Sequence, residues 1–320
     1  MTMETEPTLN DILEAHTRIK PFIHRTPVLT CRTIDDMLGA TLFFKCENLQ
    51  KVGAFKIRGA CNAVFFLDDK ASENGVAAHS SGNHAAALAQ AALWRGIKAY
   101  VVMPENSSPV KLRAVDDYGA EIILCEPNLK AREEDLKKVV QSTGATVIHP
   151  YNDYRVISGQ GTAALELCED VSDLDIVMTP VGGGGLLSGT AIAVKGLSPQ
   201  THIIGGEPER ADDACRSLKA GRIIPVEDPD TVADGLRTSL GALTFPIIYE
   251  HVKDIITVSE EGIIAAMRLI WERMKIIVEP SASVPLGAIM ERPKHFIGKR
   301  IGIILSGGNV DMDALPWIGR

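Results

Sequence analysis

No apolar run in this 320-residue sequence approaches the roughly 20 residues that a membrane-spanning helix needs. The first ten residues, MTMETEPTLN, are acidic and do not have the basic stretch and apolar core of a secretory signal. Basic side chains are in deficit, with 33 Lys and Arg against 41 Asp and Glu and a formal charge of -8. A nucleic-acid-binding protein needs a basic face to displace phosphate counterions. We therefore expect neither a membrane nor a nucleic-acid partner.

The cysteines are scattered and form no CxxC pair, and no His-rich segment accompanies them. A zinc site needs clustered ligands, and a secreted disulfide scaffold is shorter and richer in cysteine. We expect reduced thiols that serve as small core residues, in a cytoplasmic, reducing compartment. The six are Cys31, Cys46, Cys61, Cys125, Cys168 and Cys215.

Apolar runs alternate with helical segments, which predicts an α/β fold. Hydrophobic residues make up 45% and charged residues 23% of the chain, as in a folded globular protein. The length of 320 residues suits two domains or one large one. Continuous apolar strands with helices between them are typical of parallel sheets covered on both faces. The alternation within 75–149 predicts a small domain, and 1–70 with 150–320 a large one. We predict strands at 41–48, 75–80, 98–104, 120–126, 145–150, 175–181, 202–208 and 300–308, and helices at 57–69, 84–96, 109–118 and 130–142.

The segment VGGGGLLSGT, residues 181–190, places four glycines between a predicted strand and a predicted helix. Glycine is favoured where a backbone approaches another group closely, and free N–H groups at a helix start attract a phosphate. The spacing is neither G-x-G-x-x-G nor a P-loop. A tight turn without a ligand is the alternative.

The segment KVGAFKIRGA, residues 51–60, places Lys56 between Phe55 and a predicted helix. A lysine that is shielded from water has a lowered pKa and can form a Schiff base. A packed stem with a solvated ammonium is the alternative.

The segment SSGNH, residues 80–84, collects polar side chains at a predicted helix start. Hydroxyls and free N–H groups there could bind a carboxylate. Ordinary capping by Ser81 or Asn83 is the alternative.

These three motifs, followed by LSGGN at 305–309, strongly resemble those of the fold-type II pyridoxal-phosphate (PLP) enzymes. Within them the chain is similar to the serine/threonine dehydratase, serine racemase and threo-3-hydroxyaspartate ammonia-lyase group. The resemblance implies a tryptophan synthase β-like fold of two open, twisted parallel-sheet domains, with the large domain binding PLP and the active site between the domains. It implies a lyase that eliminates the β-hydroxyl of serine, threonine or threo-3-hydroxyaspartate as water, after which water hydrolyses the product to a 2-oxo acid and ammonia, with serine racemase (isomerase) activity.

The same resemblance implies roles for individual residues around the cofactor. Lys56 would form the Schiff base and act as the base on one face of Cα, and Phe55 would pack on the pyridine ring. Asn83 would bond to the ring hydroxyl, and Ser306 would face the ring nitrogen. The remaining cofactor residues implied are Gly182, Gly183, Gly184, Gly185 and Leu186 around the phosphate, with Gly235 and Glu279.

For the substrate, Ser81 would be the acid/base on the face opposite Lys56, which permits racemisation. Arg132 or Arg237 could pair with a second substrate carboxylate. The substrate-binding residues implied are Ser80, Ser81, Asn83, His84, Arg132 and Thr238.

The acidic segment EPERADD, residues 207–213, offers Glu207, Asp213 and the Ala211 carbonyl as hard oxygen ligands. The resemblance implies Mg²⁺, or Mn²⁺ or Ca²⁺, at this segment. It also implies a homodimer and leaves a nucleotide effector open. Two alternatives stay open. One is a β-replacement enzyme of the cysteine synthase type, and the other is a cofactor-free binding protein on the same scaffold.

Overall fold

The computed structural model describes residue 3 and residues 5–80, 82–107 and 109–318. Within these ranges the strands are β1 (Val28–Leu29), β2 (Thr41–Cys46), β3 (Val76–His79), β4 (Ala99–Pro104), β5 (Glu121–Cys125), β6 (Thr146–Val147), β7 (Ile176–Pro180), β8 (His202–Pro208), β9 (Asp254–Val258) and β10 (Arg300–Leu305). The helices are α1 (Leu9–Ile19), α2 (Arg32–Leu38), α3 (Lys56–Phe66), α4 (Asp69–Ser72), α5 (Asn83–Arg95), α6 (Pro109–Asp117), α7 (Leu129–Thr143), α8 (Tyr154–Asp170), α9 (Gly185–Leu197), α10 (Asp213–Ala220), α11 (Thr244–His251), α12 (Glu260–Met274) and α13 (Pro280–Glu291).

The strands form two sheets, in the orders β1-β2-β10-β7-β8-β9 and β5-β4-β3-β6. Neighbouring strands are parallel, as expected, except that β1 runs antiparallel to β2 at the edge of the larger sheet. All strands of the smaller sheet lie between Val76 and Val147, inside the predicted small domain. The domain boundaries stay a prediction.

Several strand predictions need correction. The predicted strand at 145–150 pairs only over Thr146–Val147, and the one at 41–48 ends at Cys46, where a 3-10 turn begins. Two strands, β1 and β9, are missing from the prediction. Strand β9 lies at the edge of the larger sheet. Its sequence, DIITV, begins with a charged residue, and the apolar run that remains is too short to predict a strand.

Helix α3 connects the two sheets. It packs beneath the smaller sheet in one core cluster, where Ile57 and Val64 join Val76 and Val101. Its first residue is Lys56, so the chain enters this helix at the predicted reactive lysine. The six cysteines are unpaired, and four of them are buried, as the sequence predicted. No helix in the described part of the chain is long and apolar enough to span a bilayer.

Candidate active site

Lys56 lies half-buried at the start of α3. Its Nζ donates a hydrogen bond to the Pro150 carbonyl at 3.0 Å and lies 5.2 Å from the centre of the Phe55 ring. Burial lowers the pKa of Lys56 to about 8, although the Glu279 carboxylate opposes this shift. The amine is therefore largely neutral, and nucleophilic, at mildly alkaline pH.

The tetraglycine segment makes close contacts that exclude side chains. A Cβ on Gly183 would lie 2.3 Å from the Tyr151 ring, and one on Gly184 would lie 2.8 Å from Thr244 Oγ1. Gly184 also has a φ of 88° and caps α9, which begins at Gly185. The first N–H groups of α9, including that of the buried Leu186, have no acceptor within the helix. They form a cup suited to an anion.

The turn at 149–152 joins Lys56 to the glycine segment and is the part of the site that our sequence reasoning missed. His149 Nδ1 accepts the N–H groups of Tyr151 and Asn152 at 3.3 and 2.9 Å. Burial lowers the pKa of His149 to about 4, so the ring stays neutral. The Pro150 carbonyl binds Lys56, and the Tyr151 hydroxyl bonds to Thr238 Oγ1 at 2.9 Å. The only signal available was an aromatic residue two positions after a histidine, at a predicted strand end.

Asn83 and Glu279 form a direct pair. Asn83 Nδ2 donates to both Glu279 carboxylate oxygens at 3.0 Å, and Asn83 Oδ1 accepts from Asn309 Nδ2 at 2.9 Å. Burial raises the pKa of Glu279 to about 7, and the bond from Asn83 opposes the rise. Asn83 is thus held between Glu279 and the segment that follows LSGG.

The LSGGN segment is tied to the lysine segment through the backbone. The Phe55 N–H donates to the Ser306 carbonyl at 2.9 Å, and Ala54 bridges Gly307. Ser306 itself is buried. Gly235, which is exposed, donates its N–H to Ser281 Oγ at 3.1 Å.

The SSGNH segment behaves differently from simple capping. Gly82 is the N-cap of α5 and Asn83 its first residue, with no side-chain cap bond, so capping by Asn83 is wrong. Ser80 is half-buried and its Oγ accepts the Gly82 N–H at 3.4 Å. Ser81 lies outside the described residues.

His84, the last residue of this segment, is buried. Its Nε2 donates to the Ile148 carbonyl at 3.0 Å, and burial lowers its pKa to about 3. Its Nδ1 is buried and has no hydrogen-bond partner within the described residues. His84 is therefore a neutral side chain with an unused acceptor.

Arg132 lies half-buried on α7, and its Nε donates to the Asn128 carbonyl at 3.4 Å. Its charge, after burial, lowers the pKa of His79, the residue before Ser80. Arg237 is exposed and binds the Thr231 carbonyl. Of the two arginines, Arg132 is the one whose charge acts on His79, next to the SSGNH segment.

Glu207, near the end of β8, and Asp213, at the start of α10, are both buried. The Glu207 oxygens accept the N–H groups of Ala214 and Cys215, each at 2.8 Å, and Asp213 Oδ2 accepts that of Leu240 at 3.0 Å. Asp213 Oδ1 is buried without a hydrogen-bond partner in the described part of the chain.

The buried position of this acidic pair raises the pKa of both carboxyl groups. Burial, and then the Asp213 charge, raise the pKa of Glu207 to about 9, and burial raises that of Asp213 to about 7. Ala211, whose carbonyl is the third predicted ligand, is also buried. Two buried carboxyl groups with an unused oxygen fit a hard cation.

A cavity of about 610 Å³ lies next to the Asn83 and Asn309 pair, both of which line it. Its lining also includes Lys111, which pairs with Asp234, and Tyr118. The cavity is large enough for a small organic ligand.

Comparison with known proteins gives consistent matches. Residues 19–307 match the family described as pyridoxal-phosphate dependent enzyme. A beta-hydroxyaspartate dehydratase of Paracoccus denitrificans is 53% identical over 97% of this chain and 99% of its own length. A serine racemase of Dictyostelium discoideum is 52% identical over 97% of each chain. The structure of maize serine racemase superposes with a TM-score of 0.94 at 46% identity, covering 97% of this chain and 95% of the maize chain.

Proposed function

Because the chain belongs to the family of pyridoxal-phosphate dependent enzymes, we propose that it catalyses β-elimination from β-hydroxy amino acids, with serine racemisation as a second activity. The substrates are serine, threonine or threo-3-hydroxyaspartate, and the products of elimination are a 2-oxo acid and ammonia. The relatives described above are a dehydratase and racemases, which leaves the cysteine synthase alternative without support.

The observation that carries this proposal is the environment of Lys56. This half-buried lysine, with a pKa of about 8, is both a nucleophile for the cofactor aldehyde and a base whose pKa suits proton transfer near neutral pH. The Pro150 carbonyl, 3.0 Å from Nζ, orients this amine. Lys56 takes the proton from Cα on the face of the substrate that it occupies.

The residues of the site fit the cofactor. The N–H groups at Gly182–Gly185 and Leu186 bind the phosphate at the start of α9. Glycine is needed at Gly183 and Gly184 because added side chains there would clash. Phe55, Asn83, Gly235, Glu279 and Ser306 complete the contacts. When bound, pyridoxal phosphate supplies the electron sink that makes the Cα proton acidic. A neutral Ser306 hydroxyl favours the protonated ring nitrogen less than a carboxylate would, which suits expulsion of a β-leaving group.

The substrate is held at the SSGNH segment. Ser80, Ser81, Asn83 and His84 bind the α-carboxylate, and Ser81 supplies the second acid/base that racemisation needs. Thr238 also contacts the substrate, with its hydroxyl oriented by the Tyr151 hydroxyl at 2.9 Å. Arg132 pairs with the second carboxylate of hydroxyaspartate.

Glu207, Asp213 and the Ala211 carbonyl hold Mg²⁺, or Mn²⁺ or Ca²⁺ in its place. The unused Asp213 Oδ1 supports this assignment, because a buried carboxylate oxygen without a partner is costly. The cation neutralises the two carboxylates and ties β8 to α10. Its role is to stabilise the fold next to the site.

We further propose a cytoplasmic homodimer that responds to a nucleotide. The six unpaired cysteines support a reducing compartment. For the nucleotide, the 610 Å³ cavity offers Lys111 for a phosphate and Tyr118 for a base. Analytical ultracentrifugation tests the dimer, and titration with ATP, with Lys111→Ala as the control, tests the effector site.

The deciding experiment is a 2-oxo acid release assay with L-serine, L-threonine, D-serine and threo-3-hydroxyaspartate, with chiral analysis of the remaining serine. Lys56→Ala is the control. Oxo acid from at least one substrate, absent in the variant, supports the proposal. Cysteine formation from O-acetylserine and sulfide, without oxo acid from any of the four, would show a β-replacement enzyme instead.

A further inference from the structure

Four charged side chains lie buried behind the first turn of α3. The exposed fractions of Lys45, Glu47 and Arg58 are 0%, and that of Glu166 is 1%. They come from β2, from the 3-10 turn that follows it, from α3 and from α8. Two positive and two negative charges balance within this buried tetrad.

Arg58 is the centre of the tetrad, and each of its five N–H donors has an acceptor. Nε and Nη2 donate to the two oxygens of Glu47 at 2.7 and 2.8 Å. Nη1 and Nη2 donate to the two oxygens of Glu166 at 2.9 and 2.8 Å. The second Nη1 hydrogen reaches Thr162 Oγ1 at 3.1 Å. A planar guanidinium in two bidentate pairs has a single orientation.

The rest of the tetrad closes around this centre. Lys45 Nζ donates to Glu166 Oε2 at 2.6 Å and to the Thr26 carbonyl at 2.7 Å. The Thr26 hydroxyl donates to Glu47 Oε1 at 2.5 Å. Buried ion pairs of this kind often stabilise a protein no more than well-packed apolar side chains would. What they add here is a defined geometry.

The same region holds α3 and α8 in backbone contact. A Cβ on Gly159 of α8 would lie 2.5 Å from the Arg58 carbonyl, and one on Gly59 would lie 2.4 Å from Gln160 Nε2. Gln160 Oε1 also accepts the Gly59 N–H at 3.2 Å. The distance between the helices is therefore set by glycines, and Arg58 sets how α3 is rotated against α8.

Lys56 and Arg58 are two residues apart, which places them about 200° apart around the helix axis. Anchoring Arg58 on the scaffold side thus directs Lys56 to the opposite side, toward Pro150, which shortly precedes α8. We propose that Arg58 is a positioning residue for Lys56, whose bonds to Glu47, Glu166 and Thr162 fix the rotation of the first turn of α3. The inference rests on the proposed function of Lys56 as the cofactor-binding amine.

The main test is Arg58→Lys, which keeps the charge between the carboxylates but replaces the planar fork with a single ammonium. In the cofactor-loaded enzyme, we expect kcat to fall about a hundredfold with a change in KM of no more than about threefold. In the full chain without cofactor, the rate at which acetic anhydride labels Lys56 is measured by peptide mass spectrometry at a series of pH values. The midpoint of this pH dependence is expected near pH 8 in the wild type. In Arg58→Lys it should rise by about one pH unit, because the amine becomes more exposed to water.

A milder variant keeps the test decisive if Arg58→Lys does not fold. Thr162→Val removes one acceptor at nearly constant volume, and we expect about a fivefold loss of kcat with a midpoint shift in the same direction. Ile34→Ala, fully buried on α2, is the control for lost stability alone and should lower Tm without changing the midpoint or kcat.

Folded Arg58 or Thr162 variants that lose Tm yet keep the wild-type midpoint and kcat, as Ile34→Ala should, would overturn the proposal. Turnover by Lys56→Ala would instead refute the proposed function. The labelling midpoint does not depend on the cofactor, so the two failures are distinguishable.

Discussion

Tyr151 lies so close to Gly183 that a Cβ on the glycine would be 2.3 Å from the aromatic ring. The hydroxyl of the same tyrosine bonds to Thr238, and the preceding carbonyl, that of Pro150, binds Lys56. One short turn therefore contacts the predicted phosphate cup, the predicted substrate threonine and the reactive amine. Displacing Tyr151 should disturb all three.

Gly183→Ala should weaken cofactor binding before it unfolds the protein. The new methyl group must displace the Tyr151 ring, which moves the N–H groups of the cup. We expect Kd for pyridoxal phosphate to rise by about tenfold or more. Gly182→Ala should raise Kd less, because the atom nearest to its new Cβ would be 3.1 Å away. Cofactor titration followed by absorbance measures both.

Tyr151 offers the control for this variant. In a Tyr151→Ala background the ring is gone, and Gly183→Ala should then cost less cofactor affinity than it does in the wild type. Equal losses in both backgrounds would show that the clash with Tyr151 is not the cause.

Tyr151→Phe isolates the hydroxyl from the ring. Loss of its bond to Thr238 should cost about 1 kcal/mol of transition-state stabilisation, which is about a fivefold fall in kcat/KM. Cofactor affinity should stay unchanged because the ring still packs on Gly183. Thr238→Val should have a similar effect, and the double variant should be little worse than either. Additive losses would mean that the two hydroxyls act separately.

The strands and the order of the motifs were predictable from the sequence because both are local patterns. Continuous apolar runs mark buried parallel strands, and β3, β4, β7, β8 and β10 lie where they were predicted. The two-residue β1 is held by pairing with β2 rather than by its own sequence. Tertiary pairing of this kind leaves no local signal.

The site was predictable only where one motif carried its own chemistry. Lys56 and the glycine segment were found in this way. The contacts of Tyr151 and of Arg58 join residues far apart in sequence, such as Tyr151 with Thr238 and Arg58 with Glu166. A tyrosine two positions after a histidine, or an arginine in a helix, has no spacing that marks it, so the fold was needed to identify these residues.

Lys56→Ala should lose at least about a thousandfold in elimination rate, because it removes the nucleophile and base together. In the wild type, burial lowers the pKa of Lys56 from 10.5 to about 8, so the neutral amine accumulates as the pH rises through 8. The rate of cofactor loading onto the cofactor-free chain should rise with a midpoint near 8. A midpoint near 10.5 would mean that the amine is exposed to water.

Removing divalent cations with EDTA should lower Tm by about 3 °C or more, because the cation binds only the folded state. Mg²⁺, Mn²⁺ or Ca²⁺ should restore it. Asp213→Asn should abolish the response, whereas Asp212→Asn should keep it, since the Asp212 carboxylate pairs with the part-exposed Arg216. A chelator-independent Tm in the wild type would exclude a bound cation at Glu207 and Asp213.

The final prediction separates racemisation from elimination. Inverting Cα requires a proton removed on one face and delivered on the other, and Lys56 can serve only the face it occupies. Ser81 precedes Gly82, the N-cap of α5, where the positive end of the helix dipole favours an alkoxide. Ser81→Ala should therefore abolish conversion of L-serine to D-serine and any activity on D-serine. Elimination from L-substrates should persist at a measurable level, because Cα deprotonation there needs only Lys56, with an acid to protonate the leaving hydroxyl.

Chiral chromatography of residual serine, run beside the 2-oxo acid assay, measures the two activities of Ser81→Ala separately. Ser80→Ala is the matched control, since Ser80 Oγ accepts the Gly82 N–H and is assigned to binding only. It should raise KM for both reactions while their ratio stays near that of the wild type. If Ser81→Ala lowers both activities equally, the hydroxyl positions the substrate and transfers no proton. If racemisation survives, a different group must hold the second proton, and His84, with its buried and unpaired Nδ1 among the described residues, would be the next residue to test.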